Sequence, residues 1–236
     1  MTTGNALDMF QTRYSPFGWA NLMPHLKMFS REEINSVLVE DSNEVLVRIH
    51  ETEKIIFLDK WPAKDFPFLR KRAWEMLKEA SLLLPDGVGF GLLECYRPID
   101  RQVFLRNNRF DLVKKQNPGM QNEQIWKIVD TFISRPGGPH QTGGAIDLTL
   151  VDLKTGKPFD MGTEKQGINK LAYTASNLVS KEAQVHRFVL CTVMTYVGFR
   201  NYPAEWWHYE YGTKRHSKYL MFESCFYGPV ENSKVT

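Results

Sequence analysis

Three short stretches of this chain hold residue types that can do chemistry together. His140 opens the run His140-Gln-Thr-Gly-Gly-Ala-Ile-Asp147, where an imidazole and a carboxylate stand seven positions apart with two glycines between them able to fold the chain. Glu205-Trp-Trp-His208 pairs a second carboxylate with a second imidazole. Zinc in hydrolases is commonly held by three nitrogen or oxygen side chains with a fourth position open to water, and His140, Asp147 and His208 are a suitable set. Glu205 is then free for acid–base work, because a carboxylate can take the proton of a water whose pKa the metal lowers to about 7. Arg97, in Glu-Cys-Tyr-Arg-Pro, supplies a cation that is not lost by deprotonation and can face an oxyanion.

Singly, these signals are weak, since a buried histidine or a surface arginine is usually structural. The other histidines, His25, His50, His186 and His216, have no carboxylate at a ligand-like spacing and are read as packing or solvent-facing residues. Cys95 has no base nearby and reads as a small packed residue rather than a nucleophile. Trp206 is expected to wall the site and Trp207 to face the core.

The elements that must position these residues follow from pattern. Val37–Val39 and Val45–Ile49 flank the turn-forming Asp41-Ser42-Asn43 and predict a β-hairpin, with a short strand at Ile55–Leu58 and an antiparallel start to the sheet. Leu69, Ala73, Met76, Leu77, Ala80 and Leu84 predict a helix ended by Pro85-Asp86-Gly87, and Val88–Cys95 a buried strand with Arg97 just past its end. Asp100 can cap an amphipathic helix packing through Val103, Phe104 and Leu112, and Ile125, Ile128, Val129, Phe132 and Ile133 mark another. A strand runs through Leu150, a long helix spans Ser180–Val197, and Glu205–Tyr211 alternates like a strand. Because strand side chains alternate, Glu205 and His208 cannot share a face, so Glu205 must lie in a turn or bulge entering that strand. Gly143-Gly144 must likewise bend the chain for His140 to meet Asp147.

Composition limits what the chain can be. With 42% hydrophobic and 24% charged residues in 236, one domain (1–236) is expected, with 1–33 an irregular arm and 229–236 a mobile tail. A net charge of +3 without a basic stripe argues against nucleic acid, and no stretch is long and apolar enough for a membrane span. Three scattered cysteines form no Cys-x-x-Cys pair, which disfavours a disulfide framework or thiolate site and fits a cytoplasmic location.

Gly138-Pro139-His140-Gln141-Thr142-Gly143-Gly144-Ala145-Ile146-Asp147, then Asp160-Met161-Gly162-Thr163, then Glu205-Trp206-Trp207-His208-Tyr209, together with the earlier Tyr96-Arg97-Pro98, resemble the D-alanyl-D-alanine dipeptidases related to vancomycin-resistance enzymes. The resemblance implies an α+β fold, an antiparallel sheet with flanking helices like those of D-Ala-D-Ala metallopeptidases and hedgehog-type zinc domains. It implies Zn2+ on His140, Asp147 and His208, Glu205 as base, Arg97 stabilising the transition state, and a small dipeptide as substrate. Two departures stand out: Gly138 takes the place of the family's serine, and Glu164-Lys165-Gln166-Gly167 replaces its Phe-Asp, so that the acid for the substrate ammonium is either missing or replaced by Glu164. Peptidoglycan D,D-carboxypeptidases, L-alanyl-D-glutamate endopeptidases and a zinc-bearing interaction module are the alternatives. Purified protein should carry about one zinc per chain and lose it when His140, Asp147 or His208 is replaced; full zinc content in all three variants would sink the assignment.

Overall fold

Ala145–Asp152 is a strand buried along nearly its whole length. Ile146, Leu148 and Leu150 enter the main apolar core, and the period of two turns Asp147 and Thr149 to the other face. The rest of the fold is arranged so that this polar face can be buried.

The structure is a computed structural model that describes residues 23–60, 62–165 and 170–231, without the side chains of 131 and 132. In chain order its elements are α1 (Arg31–Asn35), β1 (Leu38–Val39), β2 (Leu46–Arg48), β3 (Ile55–Phe57), β4 (Phe68–Arg70), α2 (Lys71–Leu82), β5 (Val88–Glu94), α3 (Ile99–Gln116), α4 (Asn122–Phe132), β6 (Ala145–Asp152), β7 (Lys157–Pro158), α5 (Lys181–Tyr196), β8 (Arg200–Asn201), β9 (His208–Glu210), α6 (Lys214–Tyr219) and β10 (Ser224–Cys225). The main sheet runs β3-β5-β6-β9-β8, with β7 paired to the far end of β6. It is antiparallel except for β3, which lies parallel to β5. The architecture is α+β, with α2 and α5 closing the core through Ala73, Met76, Leu77, Val189, Leu190 and Met194. Among the described residues no helix is long and apolar enough to cross a membrane.

Several expected elements form as read: the helix over 71–82, the strand over 88–94, and the helix over 181–196, whose Ser180 hydroxyl accepts from the Ala183 N–H. The hairpin does not. β1 runs parallel to β10, and β2 runs antiparallel to β4. The reason is Arg70, a cation only 3% exposed, which must be fed with polar partners. It donates to the Thr142 carbonyl (2.8 Å), the Gly228 carbonyl (3.0 Å), the Asp41 carboxylate (3.3 Å) and the Glu44 carbonyl, so the segment between β1 and β2 is drawn around the guanidinium. The antiparallel start is corrected too, because β3 joins the sheet by a parallel pairing.

α3 is the second correction. Val103, Phe104 and Leu112 are exposed, and the inner face instead holds Gln102, Arg106 and Val113. Polar partners outrank apolar ones here: Gln102 accepts from Arg97 (2.7 Å), and Arg106 pairs with Asp130 on α4 (2.7 Å). Pro98 rather than Asp100 sits at the N-cap, and Asp100 lies in the first turn where it complements the helix dipole. At the C-terminal end, the Val230 N–H donates to the Gln141 carbonyl (2.9 Å) and its carbonyl accepts from the Tyr96 hydroxyl (3.2 Å); residues 1–22 of the expected arm and 232–236 of the expected tail lie outside the described residues.

The entry to β6 is tight. The Gly144 carbonyl accepts from the Tyr211 N–H (2.8 Å), and a Cβ at 144 would strike the Tyr211 carbonyl and approach the Tyr227 ring to 2.8 Å. Gly144→Ala should therefore lower stability by about 1–3 kcal/mol, as overpacking does, and reduce metal retention by moving Asp147. A urea midpoint equal to that of the parent chain would show that the backbone yields here without cost.

Candidate metal centre and active site

One rung of the sheet builds the centre. Glu94 on β5, Asp147 on β6 and His208 on β9 are direct cross-strand partners, so their side chains share a face. His140 comes from a 3₁₀ turn, Pro139–Thr142, after which Gly143 at φ +72° reverses the chain into β6. The two glycines thus make the bend that brings His140 to Asp147.

The imidazoles are held by their outer nitrogens. His140 Nδ1 lies 2.8 Å from the Cys95 carbonyl, which can only accept, so Nδ1 carries the proton and Nε2 faces Asp147 Oδ1 at 3.3 Å. His208 Nδ1 is 2.7 Å from the same oxygen, while its Nε2 meets Glu210 Oε1 at 3.1 Å. One donor atom from each of His140, Asp147 and His208 lies within 4.8 Å of the others, and all three residues are buried. Two imidazoles and one carboxylate oxygen, each oriented by a further partner, fit a zinc ion. Burial pushes the His208 imidazole down, but Asp147 and Glu210 overcome it and raise it to about 10. A cation held through Nδ1 would have to displace its proton, so its binding would strengthen as pH rises.

Glu205 lies in the turn before β9, its N–H donating to the Tyr202 carbonyl (2.9 Å) and its carbonyl accepting from the His208 N–H (3.2 Å). The carboxylate lines the same cleft as the three candidate ligand residues but does not belong to their group. Burial raises its proton affinity above that of an ordinary glutamate, His208 opposes the rise and Asp147 adds to it. Arg97 follows β5, with its N–H on the His140 carbonyl (3.1 Å). Its Nε and Nη2 grip both oxygens of Glu94 at 2.7 Å each, and Nη1 donates to Gln102 at 2.7 Å. Against the upward push of burial, Lys165 and Arg97 hold the Glu94 carboxyl well below the usual range.

The tryptophans exchange their expected places. Trp207 borders the cleft, whereas the Trp206 indole donates to the Thr163 hydroxyl (2.9 Å) and lies against Arg187. Strand alternation does not reach back past His208, because 206 and 207 still belong to the turn. His186 and His216 are structural, the first against the Asp160 carbonyl (2.6 Å) and the second against the Gly198 carbonyl (3.2 Å). Cys95 is fully buried with its thiol pushed up by burial, as a packed residue should be.

The two departures from the family pattern resolve unequally. A side chain on Gly138 would project onto the Ser134 hydroxyl, so position 134 already places a hydroxyl where a serine at 138 would stand. Glu164 is not among the residues that line the cleft: it is 70% exposed and pairs with Lys60 at the cleft's edge (3.6 Å). Lys165 enters the cleft instead. Gln166 lies outside the described residues.

Three residues of the centre escaped the sequence reading. Glu210 stands two positions past His208, so strand periodicity alone places it on the ligand face. Glu94 stands three before Arg97, a spacing suited to an ion pair. Lys165 carries no such local signal.

An α+β fold with two imidazoles and a carboxylate converging on one point, and a separate carboxylate and arginine in the same cleft, defines a metal-dependent hydrolase. Residues 68–225 match the D-ala-D-ala dipeptidase family, and the chain belongs to that family of zinc peptidases. It is 29% identical over 199 residues to a D-alanyl-D-alanine dipeptidase of Synechocystis, covering 69% of this chain and 79% of that protein. It is 35% identical over 155 residues to a D-alanyl-D-alanine dipeptidase of Escherichia coli K12, covering 65% and 72% respectively. Among solved structures it is similar to a vancomycin-resistance D,D-pentapeptidase VanY variant in complex with Zn(II), at 18% identity and a TM-score of 0.42, over 81% of this chain and 96% of that one.

Glu210 also accepts from Arg215 (2.9 Å) and from the Thr213 hydroxyl, so it is itself rigidly held. Replacing a carboxylate that orients a ligand histidine typically lowers metal affinity ten- to a hundredfold, and Glu210→Gln should show roughly that loss in a chelator competition. Unaltered affinity would mean that His208 is oriented by the backbone alone.

Proposed function

We propose that this chain hydrolyses the peptide bond of a D-Ala-D-Ala-type dipeptide, with zinc on His140, Asp147 and His208, Glu205 as general base and Arg97 facing the oxyanion. The observation that carries this reading is the division of the site. Three donors converge on one point, while a fourth acidic residue, raised in proton affinity, lines the same cleft outside their group. Family membership and relatives named D-alanyl-D-alanine dipeptidase support the substrate class. Three unpaired, buried cysteines accord with a cytoplasmic dipeptide pool.

When bound, zinc polarises the scissile carbonyl and makes water a stronger acid. Glu205 takes the proton of the attacking water and returns it to the leaving amine, a shuttle favoured by a carboxyl pKa shifted toward neutrality. Arg97 is fixed on three sides by Glu94 and Gln102, so it meets developing negative charge without reorganising. A purely structural zinc site prefers four protein ligands and needs no spare base, which disfavours an interaction module. The same machinery acting on longer peptides is distinguished by its products.

In a release assay on the zinc-loaded enzyme, Glu205→Ala should abolish free D-alanine formation while zinc stays bound. Arg97→Ala should lower kcat by about a hundredfold or more. Retained hydrolysis in Glu205→Ala would remove the general base from the mechanism. Cleavage of longer peptides with D-Ala-D-Ala left intact would replace the dipeptidase reading by a carboxypeptidase or endopeptidase.

A further inference from the structure

We propose that Lys165 is a substrate-binding residue, whose ammonium receives a carboxylate of the substrate. The inference rests on the dipeptidase reading and specifies what that site recognises.

Lys165 reaches the centre from outside the sheet. Its Nζ lies 2.6 Å from Asp147 Oδ2 and 2.7 Å from Glu94 Oε2, with the side chain 13% exposed on the cleft. Asp147 is thereby divided: Oδ1 faces the two imidazoles and Oδ2 faces the lysine. The position is built rather than incidental. Two residues earlier, the Thr163 hydroxyl is pinned by Trp206, in the turn that leads to the ligand His208. Arg187, a guanidinium with no exposed surface, donates to the Met161 carbonyl (2.8 Å) and to those of Leu171 (2.8 Å) and Tyr173 (2.7 Å). One buried cation thus ties the chain both before and after Lys165.

Charge gives the chemistry. Arg97 and Lys165 face Glu94, Asp147 and Glu205, while Glu210 and Arg215 cancel each other. A divalent ion on the ligand group leaves four positive charges against three negative, an excess that draws an anion into a partly dehydrated cleft. No carboxylate described in the cleft is available for a substrate ammonium: Glu94 is held by Arg97 and Lys165, Glu210 by Arg215, Asp130 by Arg106 and Arg135, and Asp147 and Glu205 have roles at the centre. The substrate carboxylate has two possible sources, the terminal α-carboxylate of the dipeptide or an acidic group on its amino side. The cleft, about 1280 Å³, is roomy enough for either.

The test compares zinc-loaded parent, Lys165→Met and Lys165→Arg on D-Ala-D-Ala, its C-terminal amide, N-acetyl-D-Ala-D-Ala and N-succinyl-D-Ala-D-Ala. Lys165→Met should raise KM tenfold or more, with the effect on KM rather than kcat, and Lys165→Arg should restore most of the loss. If the terminal carboxylate is read, the amide binds poorly to the parent and the Met substitution leaves it unaffected. If an amino-side acid is read, the parent prefers succinyl to acetyl, and Lys165→Met erases the preference. Zinc affinity in Lys165→Met should be equal or higher, because a neighbouring positive charge is gone. A lysine that merely positions Asp147 would instead lose zinc and kcat together. That result, or identical KM patterns in parent and Lys165→Met, overturns the proposal. Calorimetric binding of the same compounds to zinc-loaded Glu205→Ala, with and without Lys165→Met, tests Lys165 even if the parent hydrolyses none of them, an outcome that would overturn the dipeptidase reading instead.

Discussion

Asp147 is a carboxylate with 2% exposure in the middle of a sheet, and leaving such a group charged without partners costs several kcal/mol. Burial alone would raise its pKa, yet Lys165 and the two imidazoles hold it well below the ordinary value. The structure around it is a response to that one charge. Lys165 arrives from one side, His140 folds in over Gly143, and His208 stands opposite on the neighbouring strand. A negative group kept ionised in a dry place is also what a metal cation needs, so the folding requirement and the chemical requirement coincide at one residue.

The partners of Asp147 need partners of their own. Arg97, Glu94, Lys165, Asp147, His208, Glu210 and Arg215 form a line in which the sign of charge alternates at every contact, all at 2.6–3.1 Å. Removing any inner member leaves its neighbours facing each other with like charge, or buried and unpaired. Such a network is costly to half-satisfy, which accounts for the full commitment of Arg97 and Glu210 to their neighbours. Rigidity follows from the same cause, and preorganised charge is what transition-state stabilisation uses.

The departures from the family pattern lie one layer farther out. Ser134 sets its hydroxyl against Gly138, where a side chain on 138 would run into it. Glu164 does not line the cleft and Lys165 does, so under the inference above the charge offered to substrate there is positive. Such a site would keep its reaction while its charge preference changes, because Asp147 and His208 sit on strands and His140 on the turn that enters β6, whereas Lys165 reaches them from outside the sheet.

What the sequence determined was local. His140 and Asp147 around two glycines, Glu205 three residues before His208, and the apolar periods of α2, α5 and β5 mark the candidate ligands, the candidate base and the core without reference to distant parts of the chain. Spacing even required the turn at Glu205. Tertiary structure alone decided the rest. Which strand lies beside β1, which face of α3 turns inward, and which of Trp206 and Trp207 meets the cleft depend on where buried charges find their counterparts: Arg70 with Glu44 and Gly228, Arg106 with Asp130, Arg187 with the carbonyls around Trp206. Lys165 meets Asp147 only after the chain has closed, since the energy of pairing two buried charges depends on their distance in space and carries no period along the sequence.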